Sequence, residues 1–226
     1  MSAPLVIGVL AAGAWALLAL TAQVARARAH GRSEQYAPAA GRPFSGVLYA
    51  FGPGMLPWAK ESVREHLPSY GAGVGYHLGI FAAGAYLVLL LAGLTAAPFV
   101  LRALRFLSLA GALCGVILLI KRTAQPQLRG LSGPDDYVAN ALATAFTALA
   151  FADATRSASL DPGFPAAMAA GAAAPLTALR GTFLGEAVLL LLYIPVGKIR
   201  HCFFFFTTRY YLGAHFGRRG TFPPHA

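Results

Sequence analysis

Acidic side chains are scarce in this chain: eight Asp and Glu stand against eighteen Lys and Arg among 226 residues. Charged residues of both signs make up only 12%, about half the share that a water-soluble domain carries. Cysteine is nearly absent, and the two present, Cys114 and Cys202, form no CxxC or CxxCH pairing. That argues against a disulfide framework and against covalent c-type haem attachment. A nucleophile elbow, a phosphate loop, an HExxH helix and a carboxylate pair at productive spacing are also missing. No basic run is interleaved with aromatics on a soluble face, so the net charge of +10 does not point to a nucleic-acid partner.

What the chain has instead is apolar length. Hydrophobic residues reach 57% and cluster into long runs separated by short basic stretches, the pattern of membrane spans in contact with lipid. The expected fold is an all-α integral membrane bundle forming one domain over 1–226. Five spans are expected, at about 4–24, 71–96, 100–120, 137–152 and 183–206. The first run has no basic segment before it and is followed by Arg26, Arg28 and Arg32, so it reads as a retained span rather than a cleaved signal peptide. The fourth is the shortest, Ala-rich and edged by Asp135, Asp136 and Asp153.

Orientation follows from the basic residues. With these spans, fourteen of the eighteen Lys and Arg fall on one side; the other side receives Arg102, Arg105, Arg156 and Arg180. Positive-inside bias then places the N-terminus out and the C-terminus in. Residues 43–58 mix Phe44, Tyr49, Phe51 and Trp58 with Gly and Pro, a composition suited to a loop or short helix in the cytoplasmic interface. Residues 162–181, rich in Ala, Gly and Pro, are expected to form an outer loop with a short interfacial turn.

Histidine is the informative residue type. Of six, His77 and His201 lie inside or at the edge of expected spans, where ionisable groups are costly and tend to be functional. A neutral imidazole can ligate haem iron while burying little charge. His77 falls roughly 9 Å into its span and His201 roughly 8 Å from the same side, so two antiparallel helices place imidazoles at matching depth. Gly73, Gly75 and Gly79 would let a flat macrocycle approach, and Lys198 and Arg200 could meet haem propionates. The other reading of the pair is interhelical hydrogen bonding, and depth does not decide between the two. A second pair, His66 and His215, lies nearer the cytoplasm by helical spacing, with Pro68 and Gly213 and Gly217 against it. His30 in a basic loop and His225 in the tail are expected to be solvated. Glu186 is the one carboxylate inside a span, either a proton-relay group or a residue near the outer interface.

Three segments carry a family resemblance. Tyr76-His77-Leu78-Gly79-Ile80-Phe81 is similar to a His-plus-small-apolar element of a second span. Gly115 to Arg122, leading through Pro126 to Asp135 and Asp136, resembles the end of a third span and the loop after it. Pro195-Val196-Gly197-Lys198-Ile199-Arg200-His201 resembles a Pro-x-x-basic-aliphatic-x-His element of a last span. In this order they resemble the gamma (cytochrome b) subunit of respiratory nitrate reductases and the related membrane subunits of heterodisulfide-reductase-like complexes. The resemblance covers most of the chain apart from the loop over 25–69 and the tail.

The resemblance implies that His77 and His201 are axial ligands to the iron of one haem b. The nitrate reductase subunit has a second, outer haem. Its ligand places are taken here by Leu87 and by Thr182 or Phe183, none of which ligates haem iron, so one haem is expected. The expected function is a subunit of a multi-subunit oxidoreductase rather than an enzyme alone. It would move electrons between membrane quinone and an iron–sulfur partner on the cytoplasmic side, as a multi-pass protein of the inner (plasma) membrane. The alternative is a haem-free anchor that holds a soluble enzyme complex at the membrane.

Overall fold

The computed structural model describes residues 3–30, 37–59, 61–94, 96–160 and 178–224. Among them every regular element is helical: α1 (Ala3–Ala29), α2 (Pro43–Phe51), α3 (Glu61–Arg64), α4 (Leu67–Ala92), α5 (Pro98–Ala124), α6 (Pro126–Gly130), α7 (Pro134–Leu160), α8 (Ala178–Tyr193) and α9 (His201–Arg218). Four helices are long and apolar enough to cross a membrane, and a fifth span results if α8 and the segment Lys198–Arg218 are counted as one broken crossing. The chain is therefore an all-α, multi-pass membrane protein whose outward apolar faces meet lipid.

Proline and glycine punctuate these helices in the manner their chemistry dictates. Pro43, Pro98, Pro126 and Pro134 each open a helix, where the missing N–H is one that would have no intrahelical partner. Pro68 lies in the first turn of α4. The helix thus starts before Gly71, and His77 sits ten residues after Leu67 rather than six residues into a span. At the far end of α4, Gly93 takes a left-handed φ of +59° and Leu94 N–H donates to Leu89 O at 3.1 Å, a closure that only glycine makes without strain.

Two spans differ from expectation. The fourth helix is 27 residues long and carries Asp153 within it instead of ending at 152. The run over 183–206 is not one helix. Pro195 has no N–H to continue α8 and its ring crowds the carbonyl four residues back, so α8 stops at Tyr193. The Tyr193 ring packs against the Cα side of Gly197, and a 3-10 turn over Lys198–Arg200 leads into α9.

The chain divides into two compact units: unit 1 is Met1–Leu17 with Gly71–Lys198, and unit 2 is Leu18–Tyr70 with Ile199–Ala226. In unit 1, α4 and α5 touch backbone to backbone; a Cβ on Gly111 would lie 2.6 Å from Gly79 Cα. Tyr76 of α4 reaches α7, donating to Asn140 O at 2.9 Å with its hydroxyl also 2.9 Å from Thr144 Oγ1. Phe183 of α8 is fully buried and stacks on Phe146 of α7 at 5.4 Å. In unit 2, α2 and α9 run against each other through Gly46, Gly213 and Gly217, where added Cβ atoms would strike backbone. Ala40 N and Gly41 N donate to Arg218 O at 2.9 and 3.0 Å, and Phe51 meets Phe205 and Phe206 at the other end of the pair.

Candidate functional site

His77 stands on an exposed stripe of α4, an apolar helix. Its Nδ1 lies 2.7 Å from Gly73 O. A carbonyl only accepts, so Nδ1 carries the proton and the lone pair of the neutral ring is on Nε2. Metal-binding imidazoles are held in the same way, with the second nitrogen donating to a backbone carbonyl. His30 makes the same bond to Arg26 O at 2.7 Å, so the bond alone does not mark a site. The surroundings separate the two: His30 closes the basic end of α1, whereas His77 sits between Tyr76 and Phe81, with ring centroids at 6.3 and 6.4 Å.

The three glycines near His77 do different things. A Cβ on Gly73, one turn before His77 on the same stripe, would have no described atom within 4 Å. That leaves open space where a flat group could approach. A Cβ on Gly75 would come 3.0 Å from Cys114 Sγ, and Gly79 is already in contact with Gly111. Only Gly73 serves an open face; Gly75 and Gly79 serve helix packing.

The other expected site residues are distributed as follows. His77 belongs to unit 1, while His201, the first residue of α9, belongs to unit 2; His201 is exposed. Lys198, in unit 1, forms an ion pair with Asp136, which Arg122 also approaches at 3.4 Å. Asp136 in turn accepts from Gly133 N at 3.0 Å, and the neighbouring Asp135 carboxylate accepts from Tyr193 OH. Lys198 thus has a carboxylate beside it before any propionate is considered. Arg200 is exposed at the start of α9. His66, in the turn between α3 and α4, and His215, on α9, are both exposed members of unit 2. His225 lies outside the described residues. No group of three or more metal-ligating side chains occurs among the described residues.

Of the residues that the resemblance sets in the outer-haem places, Thr182 is exposed and donates to Ala178 O at 3.1 Å, whereas the other two are packed. Leu87 and Phe183 are both buried, and Phe183 lies between Phe146 and Tyr86, the latter at 5.8 Å. Beside them is a cluster built on two charges, Asp153 and Arg180, that are expected outside the spans. Arg180 and Asp153 are fully buried and paired, Arg180 Nε lying 3.2 Å from Asp153 Oδ2. Tyr86 OH donates to the same oxygen at 2.7 Å, and an Arg180 terminal nitrogen donates to Ser157 Oγ at 2.6 Å. Arg180 is therefore no loop charge: it is a buried helix residue whose carboxylate partner comes from α7. The signal that could have found this pair is length. A span ending at 152 is too short for a hydrocarbon core needing about 20 residues, and extending it takes in Asp153.

No family model matches the chain, and neither the curated proteins nor the solved structures contain a match to it.

Proposed function

We propose that the protein is a haem b membrane subunit of a multi-subunit oxidoreductase, moving electrons between membrane quinone and an iron–sulfur partner on the cytoplasmic side. The observation that carries this reading is the disposition of His77: an exposed imidazole on an apolar helix, its Nδ1 bonded to Gly73 O, beside a stripe that Gly73 leaves open. His77 and His201 would be the axial ligands, and the haem, when bound, would supply one-electron redox chemistry. The chain's own contribution is to hold the His77 ring in one tautomer and to set the charge near the site. Because Asp136 neutralises Lys198, Arg200 is the better candidate for a propionate. The inner membrane, with the N-terminus outside, is the location that the basic side of the chain favours.

A pyridine haemochrome assay of the purified chain tests the reading. One haem b per chain is expected, lost in His77→Ala and in His201→Ala, and kept in His30→Ala. A purified, folded wild type without haem would leave the anchor reading in its place. Two haems per chain would bring back His66 and His215 as a second pair.

A further inference from the structure

Unit 2 packs the wrong way round for a body in water. On α2 the small residues Gly46 and Ala50 are buried against α9, while Phe44 and Leu48, one turn apart on one stripe, face outward. Phe44 is 71% exposed and Trp58, after the helix, 65%. The same inversion holds on α9, where Gly213 and Gly217 are inside and Phe206 and Tyr210 are outside. Small residues inside and large apolar residues outside is how helices pair when the surrounding medium is hydrocarbon. At nine residues, α2 is about 14 Å long, too short to cross the bilayer but long enough to enter one leaflet.

The pair is also polarised along its length. At one end, α2 begins after Arg42 and α9 ends at Arg218 and Arg219. The backbones interlock there: a Cβ on Gly217 would press on Arg42 O, and Ala40 N and Gly41 N donate to Arg218 O. At the other end, Phe51 packs on Phe205 and Phe206. Unit 2 as a whole holds ten Lys and Arg against three Glu. Guanidinium groups suit phosphate oxygens through paired N–H donors, and basic residues beside an inserted apolar face are attracted to an anionic leaflet.

We infer that the α2–α9 pair is inserted into one leaflet, with its phenylalanine end among the acyl chains, and binds the phosphate of anionic lipid headgroups through the exposed Arg42 and Arg219, Arg218 being held by Ala37 O at 2.8 Å. The inference does not depend on haem. It is tested on the full chain, with Cys114 and Cys202 replaced by Ala, in nanodiscs of phosphatidylcholine alone or mixed with phosphatidylglycerol. A spin label at Phe206→Cys should collide with oxygen and be shielded from an aqueous nickel complex; a label at Thr221→Cys should show the reverse. Brominated phosphatidylglycerol should quench Trp58, in a Trp15→Phe background, more strongly than brominated phosphatidylcholine. Arg42→Gln with Arg219→Gln should reduce that preference by about fivefold for each arginine, while the corresponding Lys pair keeps it. Retention in the Lys variant separates loss of charge from loss of fold. A Phe206 label open to the nickel complex would overturn the inference and mark the face as a seat for a soluble protein. Equal quenching by the two lipids would overturn the headgroup assignment.

Discussion

Units 1 and 2 are both built of packed helices, but different interactions hold them. Unit 1 buries polarity: an Arg–Asp pair joined by Tyr86 and Ser157, and Tyr76 bridging to Asn140 and Thr144. In unit 2 the pairing of α2 with α9 rests on backbone proximity at Gly46, Gly213 and Gly217, without a buried ion pair among the described residues. One unit should therefore be sensitive to removing a partner, the other to adding a methyl group.

The largest effect is expected in unit 1. Asp153→Ala leaves the Arg180 guanidinium without its buried countercharge and should cost about 3–5 kcal/mol. Replacing both partners, Asp153→Leu with Arg180→Met, should recover most of that, since well-packed apolar residues can stand in for a buried pair. Equilibrium unfolding in mixed detergent and SDS micelles reads both, and a double variant no better than the single one would show that the pair does more than neutralise itself.

Next comes unit 2. Gly46→Ala puts a methyl group against the backbone of Gly213 and Gly217, and backbone cannot rotate away, so the helices must part at about 1–3 kcal/mol. The control is Gly73→Ala, whose Cβ meets no described atom within 4 Å and which should leave stability unchanged or slightly raised, by about 0.4–1 kcal/mol. If the two substitutions behave alike in thermal unfolding, the close contact of α2 and α9 is not what holds unit 2.

The smallest effect tests the neutral half of unit 1's polarity. Tyr76→Phe keeps the ring and removes the bonds to Asn140 and Thr144. An interhelical hydrogen bond of this kind averages about 0.6 kcal/mol in membranes, so a loss near that value is expected in the same SDS titration. A loss as large as that of Asp153→Ala would mean that charge is not what distinguishes the buried Arg–Asp pair.

How much of this could be read from the chain varies with the physics of each element. The first three spans were legible because a long apolar run has few alternatives to a crossing helix. The fourth was truncated because Asp153 looked like an edge, and an edge charge and a paired buried charge are identical in sequence. The apolar run over 183–206 conceals a break, since hydropathy is blind to a missing N–H; Pro195 and Gly197 are the cues to it. Type and depth single out His77 as a candidate, but the separate roles of Gly73, Gly75 and Gly79 depend on which stripe faces α5. That is settled by tertiary packing at Gly111 and Cys114, which no local pattern encodes.

The Arg180–Asp153 pair also sets a problem of timing during synthesis. Its members are 27 residues apart, so α7 emerges from the ribosome with a carboxylate whose partner has not been made. A lone Asp opposes insertion by about 2.5–3.5 kcal/mol at a helix centre, and by less at Asp153, seven residues from the end of α7. At roughly 5–20 residues per second, α7 would wait about one to several seconds for α8. Until then the Asp153 carboxylate has to be met by water or headgroups at the end of α7, so the pair forms only after α8 has been made.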